Sequence, residues 1–273
     1  MTEIFSGNFT QQESLPEEAI EAAVAVMRHG RLHRYNLADG ELGETALLEQ
    51  EFAAYMGARY CLAVASGGYA LAASLRAAGA QAGDAVLTNA FTLAPVPGAI
   101  ANAGCRPVFV EATADLVMDL DDLSTKIKSS GAGFLMLSHM RGHIVDMDRL
   151  MQICDEAGVA VIEDCAHTMG ASWNGVKSGR HGIAGCYSTQ TFKHLNSGEG
   201  GLLVTDDADL ARRAIMLSGS YMLFERNGAT PEPEVFDQIK LETPNCSGRM
   251  DNLRAAILRP QLRNLDVQCA SWN

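Results

Sequence analysis

One lysine stands between an apolar, strand-like run and a glycine-rich turn. Cys186-Tyr-Ser begins the run, Lys193 follows it, and Gly198-Glu-Gly-Gly201 forms the turn. Another apolar run, residues 159–163, ends at Asp164, 29 residues before the lysine. An amine and a carboxylate on neighbouring strand ends suit a pyridoxal phosphate site, because the amine can form a Schiff base while the carboxylate keeps the pyridine nitrogen protonated. This pair indicates an enzyme.

Lys193 is the first candidate for covalent chemistry. Phe192 and Leu195 flank it, and desolvation by such neighbours lowers the pKa of a lysine toward that of a usable nucleophile and base. A solvated surface lysine is the alternative. Ser188, five residues earlier, could donate a hydrogen bond to a phosphate.

Ser66, Gly67 and Gly68 form a small-residue turn between a predicted strand and a predicted helix. Free N–H groups and the helix dipole favour an anion at such a helix start, and glycine lets the anion approach the backbone. A tight turn with no ligand is the alternative interpretation.

Asp164 and His167 lie three residues apart after the run at 159–163. A carboxylate paired with a pyridinium would keep the ring an electron sink, although Asp164 could instead cap a helix or bind a metal. His167 could orient Asp164, contact the phenolic oxygen of the ring, or be a satisfied structural histidine.

Composition limits the classes of function. The chain has 273 residues, 47% of them apolar, with a net charge of −12 and no Lys/Arg run, which argues against a nucleic-acid partner. No apolar run approaches the roughly 20 residues of a membrane helix, and the N-terminus lacks a basic segment before an apolar core. We therefore expect a cytoplasmic protein without a membrane partner.

Its seven cysteines form no CxxC pair, so we predict reduced thiols and no metal.

Short apolar runs alternate with helix-length segments beyond residue 58. The predicted strands are residues 61–65, 85–88, 107–110, 133–138, 159–163, 185–188 and 202–205. The predicted helices between them include residues 70–78, 96–103, 147–157 and 208–217. This alternation predicts a three-layer α/β/α sandwich with a mainly parallel sheet, in which ligands bind beyond the carboxyl ends of the strands.

The ends of the chain complete the predicted organisation. Helices are predicted from Pro16 to Gly30 and over residues 44–56, a long loop over 226–244, and an amphipathic helix from 250 to about 265. We predict three parts: an N-terminal helical segment at 1–57, a cofactor-binding large domain at 58–249, and the truncated start of a small C-terminal domain at 250–273.

The most basic local cluster contains Arg31, His33 and Arg34 beside Tyr35. It could contact an acidic substrate or a second subunit, and we favour a solvated surface. His139, Arg141 and His143 follow the strand at 133–138 and either meet a substrate or hydrogen-bond within their loop.

The spaced motifs together resemble the DegT/DnrJ/EryC1/StrS aminotransferases, fold-type I pyridoxal phosphate enzymes that act on keto-sugars and cyclitols. The motifs are Ser66-Gly-Gly, Glu163-Asp-x-Ala-His167, Ser188-x4-Lys193, Gly198-Glu-Gly-Gly201 and Arg249-Met-x-x-Leu-x-Ala-Ala256. The resemblance runs from about Glu41 to the last residue. It implies the large domain of that fold.

The resemblance also implies roles for individual residues. Lys193 becomes the Schiff-base lysine and Asp164 the partner of the pyridine nitrogen. Ser66, Gly67 and Ser188, with Gly68, lie near the phosphate, and His167 lies against the ring or its oxygen.

The reaction implied by the resemblance is an amino transfer in two halves. Glutamate or glutamine leaves its nitrogen on the cofactor, and a keto-sugar or cyclitol ketone then takes it, while Lys193 moves the proton in each half. A homodimer with the site at its interface is implied as well.

The chain departs from the family pattern at three places. Many members have a large aromatic residue where this chain has Leu93, in Phe91-Thr-Leu, so Phe91 is the remaining candidate for stacking on the cofactor. The asparagine that contacts the partner subunit's phosphate is replaced by Ser247, with Asn245 nearby. Relatives also continue into a smaller C-terminal domain.

Two other functions remain open at this point. The missing C-terminal domain and the altered stacking position motivate a non-catalytic pyridoxal phosphate-binding or regulatory homologue, and retention of Lys193 argues against it. A related pyridoxamine phosphate dehydratase would have histidine in place of the Schiff-base lysine. Lys193 argues against this function, but the neighbouring His194 leaves it open as an alternative.

Overall fold

A seven-stranded sheet forms the centre of the chain in this computed structural model, which describes residues 12–38 and 40–272 except the side chain of Trp272. Its strands are β1 (Tyr60–Val64), β2 (Ala85–Asn89), β3 (Arg106–Val110), β4 (Phe134–Ser138), β5 (Ala160–Asp164), β8 (Ala184–Ser188) and β9 (Gly201–Thr205). The short strands β6 (Ser172–Trp173) and β7 (Val176–Lys177) form a separate hairpin.

The order across the sheet is β1-β9-β8-β5-β4-β2-β3. The strands from β8 to β3 are parallel to one another, and β9 runs antiparallel to both of its neighbours. The predicted, mainly parallel sheet is confirmed, and each of the seven predicted strands matches within one residue. The hairpin was not predicted, since two-residue strands are too short to show periodicity.

Helices cover both faces of the sheet. They are α1 (Glu17–His29), α2 (Glu44–Met56), α3 (Gly67–Ala77), α4 (Pro95–Asn102), α5 (Leu120–Ser130), α6 (Met147–Ala157), α7 (Ala208–Ser218), α8 (Asn252–Arg263) and α9 (Leu265–Trp272). Alternate strand residues point to opposite faces: Leu62 packs with α3 and α7, whereas Cys61 packs with α2 and α8. A further apolar cluster joins Leu135 to α5 and α6. The three-layer sandwich is therefore confirmed.

A buried ion pair ties the N-terminal part to the edge of the sheet. Arg34 donates to both carboxylate oxygens of Glu49 at 2.9 Å, and Glu49 accepts the N–H groups of Ala63 and Gly228 at 2.8 and 2.9 Å. Arg34 and Tyr35 are only 2% and 3% exposed. The prediction of a solvated basic cluster is wrong for these two residues, because Glu49 on α2 supplies the buried counter-charge.

The loop predicted over 226–244 contains only short 3-10 helices, Phe224–Arg226 and Pro233–Phe236. Phe236 is fully buried and stacks on Phe224 with ring centroids 4.2 Å apart, which anchors the loop on the sandwich. The division into parts at 1–57, 58–249 and 250–273 stays a prediction, and residues 1–11 lie outside the described residues. Within the described ranges, no helix combines the length and apolar character needed to cross a membrane.

We predict that Gly201→Ala destabilises the fold. A Cβ at this position would lie 2.5 Å from the carbonyl carbon and oxygen of Ser66, so the start of α3 would have to move off β9. Overpacking of this kind costs about 1–3 kcal/mol, measured as the free energy of unfolding in urea.

Gly98→Ala is the matched control. Gly98 lies inside α4 with open space around its position, and alanine is preferred there by up to about 1 kcal/mol. Equal stabilities of the two variants would contradict the close packing of β9 against the start of α3.

Candidate active site

The carboxyl ends of β4, β5 and β8 meet the start of α3 at a cavity of about 320 Å³. Seven of the residues predicted from the sequence line it: Ser66, Gly67, Gly68, Asp164, His167, Ser188 and Lys193. These residues come from four separate segments of the chain, and the parallel arrangement of the strands brings them together. Phe91 and Asn245 do not line this cavity.

The start of α3 forms one end of the cavity. Ser66 is the N-cap of this helix: its hydroxyl accepts the Tyr69 N–H at 3.0 Å, and its carbonyl accepts the Ala70 N–H at 3.0 Å. Among the described residues, the N–H groups of Gly67 and Gly68 have no partner. Two unpartnered donors at a helix N-terminus, beside serine hydroxyls, are suited to a phosphate.

Strand register places Ser188 at the same end of the cavity. Gly201 on β9 pairs with Val64 on one side and with Ser188 on the other, so the turn after β1 lies next to the end of β8. A Cβ at Gly67 would lie 3.0 Å from that of Ser188, so a side chain at Gly67 would crowd this end. The absence of a side chain at Gly67 therefore allows the turn after β1 and the end of β8 to contact the same anion.

Asp164, the last residue of β5, is one of two acidic residues that line the cavity, and Glu199 is the other. Asp164 is partly buried, and its carboxylate accepts the Ser138 hydroxyl and the Ala166 N–H, each at 3.1 Å. Burial raises the pKa of this carboxyl, and the two hydrogen bonds, His139 and Lys193 oppose the rise. A cation brought to Asp164 would favour its charged form.

Glu163, the neighbour of Asp164, has a different environment. It is fully buried and accepts N–H groups from Gly179, His181 and Gly182 at 2.8–2.9 Å, and its Oε2 lies 3.1 Å from His139 Nε2. Cys165 lies close to this pair in a grouping that could hold a metal. Because the carboxylate oxygens already accept main-chain donors, we assign Glu163 a structural role. His139 hydrogen-bonds within the fold and does not line the cavity.

Lys193 lies in the loop that connects β8 to β9. Main-chain hydrogen bonds from Thr189 to Gly200 and from Thr191 to Gly198 close this loop. Leu195 is fully buried beneath it, while Phe192 is 63% exposed. The lysine is half-buried, and burial lowers the pKa of its amine; Arg141 adds to this effect and Asp164 opposes it.

The amine of Lys193 contacts the imidazole ring of His167. Lys193 Nζ lies 2.8 Å from His167 Nε2. Burial, followed by the charges of Lys193, Arg141 and His194, lowers the pKa of His167 to about 4. The ring is therefore neutral at physiological pH.

Apolar residues complete the cavity and were not predicted as lining residues. Leu93, Pro95, Val96 and Met140 line it, and Leu93 is 42% exposed. Leu93 occupies the position that the resemblance assigns to an aromatic residue, so that departure lies within the cavity. These four apolar residues come together through packing between distant segments, which local sequence patterns do not reveal.

A second cavity of about 680 Å³ lies on another side of Lys193, bordered by residues 12–16 and by α8 and α9. Lys193 lines both cavities, whereas Asp164, His167 and the start of α3 line only the smaller one. The smaller cavity therefore holds the chemically complete set of residues.

The smaller cavity fits pyridoxal phosphate. Unpartnered N–H groups of Gly67 and Gly68 suit its phosphate, the Asp164 carboxylate suits its pyridine nitrogen, and the Lys193 amine suits its aldehyde. A volume of about 320 Å³ lies within the range of small-molecule pockets.

Solved structures of fold-type I pyridoxal phosphate enzymes share this architecture. S. venezuelae DesV, solved in complex with a ketimine intermediate, superposes with a TM-score of 0.77 at 30% identity, over 92% of this chain and 62% of that chain. 3-Amino-5-hydroxybenzoic acid synthase superposes with a TM-score of 0.81 at 28% identity, over 96% and 65%. The fold predicted from the sequence is confirmed.

The chain belongs to the DegT/DnrJ/EryC1/StrS aminotransferase family, whose sequence profile matches residues 13–272. It is 31% identical over 255 residues to the L-glutamine:2-deoxy-scyllo-inosose aminotransferase of Streptomyces fradiae, covering 93% of this chain and 60% of that protein. It is 34% identical over 227 residues to the L-glutamine:scyllo-inosose aminotransferase of Streptomyces griseus, covering 80% and 51%. The chain thus spans 51–60% of the length of these two relatives.

A third relative has a different kind of name. The pleiotropic regulatory protein of Geobacillus stearothermophilus is 31% identical over 261 residues, covering 94% of this chain and 64% of that protein.

We predict that Asp164→Asn stabilises the cofactor-free protein at neutral pH. The raised pKa of Asp164 means that the folded state binds its proton more tightly than the unfolded state, so the wild-type protein loses stability as pH rises through that pKa. Asparagine avoids this loss, and its amide can still accept from Ala166 and donate to Ser138. Urea unfolding at neutral and acidic pH measures the difference, which should disappear below the ordinary aspartate pKa of about 3.9.

Asp121→Asn serves as the control. The Asp121 side chain is 87% exposed and pairs with an exposed Arg149 at 2.6 Å, an interaction worth at most about 1 kcal/mol. If Asp164→Asn changed the free energy of unfolding by the same amount at every pH, burial would not control the charge of Asp164.

Proposed function

We propose that this chain carries the cofactor site of a pyridoxal phosphate-dependent aminotransferase that moves an amino group from glutamine or glutamate to a ketone of a cyclitol or sugar. One observation supports this proposal above the others. Lys193, Asp164 and the N-terminus of α3 line a single cavity, with spare donors at one end, a carboxylate and an amine.

Each part of the cavity has one task in holding the cofactor. The N–H groups of Gly67 and Gly68 and the hydroxyls of Ser66 and Ser188 bind its phosphate. Asp164 holds the proton on the pyridine nitrogen. We propose that His167 contacts the ring. Phe91 stays the candidate for stacking on the cofactor and Asn245 the candidate for the contact with the partner subunit's phosphate, and neither residue lines this cavity.

The cofactor, when bound, supplies an electron sink for the carbanion formed at the substrate carbon. Lys193 Nζ would hold the cofactor through its aldehyde. Once the amino group of the donor displaces it, the free amine would act as a base, since a lowered pKa leaves it ready to take a proton. It would move the proton from the donor's Cα to C4′, and in the opposite direction with the acceptor. Overall the donor's C–N bond becomes a carbonyl and the acceptor's ketone becomes an amine, with no net oxidation.

The relatives guide the choice of substrates. Both inosose aminotransferases are named for L-glutamine as donor and for a cyclic inosose as acceptor. We therefore propose glutamine as the first donor to test and an inosose or keto-sugar as acceptor. A cytoplasmic homodimer, in which the partner subunit completes the phosphate site, belongs to the same proposal.

A second candidate function is regulatory. The Geobacillus stearothermophilus relative is named a pleiotropic regulatory protein, and Leu93 replaces the aromatic residue expected at the cavity. Under this alternative the chain binds pyridoxal phosphate through Lys193 but transfers no amino group.

We predict that pyridoxal phosphate attaches covalently to Lys193. Mixing the purified chain with the cofactor should shift its visible absorption, and borohydride reduction followed by peptide mass mapping should locate the adduct. Lys193→Ala should abolish both signals, because the other lysines, Lys126, Lys128, Lys177 and Lys240, do not line the cavity.

Lys128→Ala is the matched control and should keep the adduct, since Lys128 lies on α5, away from the cavity. An adduct that survives in Lys193→Ala would overturn the assignment of the lysine. Adding L-glutamine and scyllo-inosose to the loaded protein then separates the two candidate functions: a mass-detected inosamine supports the aminotransferase, and a stable adduct without product supports the regulatory protein.

A further inference from the structure

Both ring nitrogens of His167 have a partner in the structure. The main-chain N–H of Arg141 donates to Nδ1 at 3.3 Å, and Nε2 lies 2.8 Å from the amine of Lys193. A neutral imidazole carries one proton, so one nitrogen donates and the other accepts. Because Nδ1 accepts, the proton of His167 lies on Nε2.

This tautomer determines the state of the lysine. Nε2–H is a donor, so the contact at 2.8 Å is a hydrogen bond only when Lys193 Nζ is an acceptor, which an amine is and an ammonium is not. A doubly protonated ring would place Nδ1–H against the Arg141 N–H. The geometry therefore selects a neutral ring that donates to a neutral amine.

The surrounding charges favour the same pair of states. Burial lowers the pKa of both His167 and Lys193, and the nearby positive charge of Arg141 lowers both further. Asp164 is the opposing group, since its carboxylate favours an ammonium on Lys193. Burial is the larger effect on the lysine, so its pKa falls.

The turn after β4 aims the Arg141 N–H at the ring. Arg141 adopts a left-handed conformation, with φ of 57°, inside the 3-10 turn Met140–Gly142, and Gly142 follows with φ of 87°. The His143 N–H closes this turn on the Met140 carbonyl at 3.2 Å. The turn belongs to a different segment from His167 and is fixed by its own hydrogen bonds.

We propose that the main-chain N–H of Arg141 fixes the tautomer of His167, and that His167 is a positioning residue that holds Lys193 as an unprotonated amine before the cofactor arrives. The amine is the nucleophilic form, so the chain keeps its lysine ready for a carbonyl. The purpose of this state rests on the proposed function, while the state itself can be measured without any cofactor.

Nitrogen NMR of the cofactor-free chain tests the tautomer directly. With ¹⁵N-labelled histidine, the His167 signals should show protonated Nε2 and unprotonated Nδ1 at neutral pH. Loss of these signals in His167→Gln identifies them among the seven histidines. Should that variant not fold, Lys193→Met identifies the same ring by shifting its Nε2 signal. A proton on Nδ1, or on both nitrogens, overturns the proposal.

Competitive acetylation tests the lysine in the same protein. Trace labelling across a pH series, quantified by peptide mass spectrometry, should show Lys193 reaching full reactivity at lower pH than Lys128. In His167→Gln the amide oxygen can accept from an ammonium, so the reactivity of Lys193 at neutral pH should fall about tenfold for each unit that its pKa rises. Unchanged reactivity would remove His167 from this role.

Arg141→Gly separates the main chain from the side chain. Glycine keeps the N–H and tolerates the left-handed conformation but removes the guanidinium, so the Nε2–H tautomer should persist. A switch of tautomer in this variant would assign the effect to the guanidinium charge and overturn the main-chain mechanism. Because no measurement uses pyridoxal phosphate, failure to bind the cofactor would refute the proposed function alone, and a wrong tautomer would refute this inference alone.

Discussion

The site depends on two consecutive carboxylates at the end of β5 that face different surroundings. Successive residues of a strand point to opposite faces, so Glu163 faces the interior and Asp164 faces the cavity. Glu163 accepts main-chain donors from residues 179–182, which ties the segment before β8 to β5. This connection fixes β8 beside β5, and β8 leads into the loop that carries Lys193. Together with the pairing of β5 and β8, Glu163 thus helps to hold the end of β8 next to Asp164.

The sheet and most of the cavity could be predicted from the sequence. The strands are short apolar runs because parallel strands are buried on both faces, and their boundaries are visible as changes of composition at residues such as Asp164. Polar residues that follow parallel strands must lie at one edge of the sheet. Ser66, Asp164, His167 and Lys193 can therefore be assigned to one site from the sequence alone.

The remaining features depend on partners distant in sequence. Arg34 looks like a surface residue until Glu49 is placed beside it, 15 residues away, and His139 looks like a ligand contact until it is paired with Glu163. The Arg141 N–H carries no side-chain signature at all, since any residue other than proline supplies it. Such contacts follow from packing between elements, which local periodicity does not encode.

Burial acts on three ionisable groups in the cavity, Asp164, His167 and Lys193, and it favours the neutral form of each. It lowers the pKa of His167 and Lys193 and raises that of Asp164. For an amine that must attack a carbonyl, this shift is useful. For a carboxylate it creates an unfavourable charge that a cationic ligand would relieve. Under the proposed function, a protonated pyridine ring set against Asp164 would supply that charge, so the burial that lowers the pKa of the lysine would also favour binding of the ring.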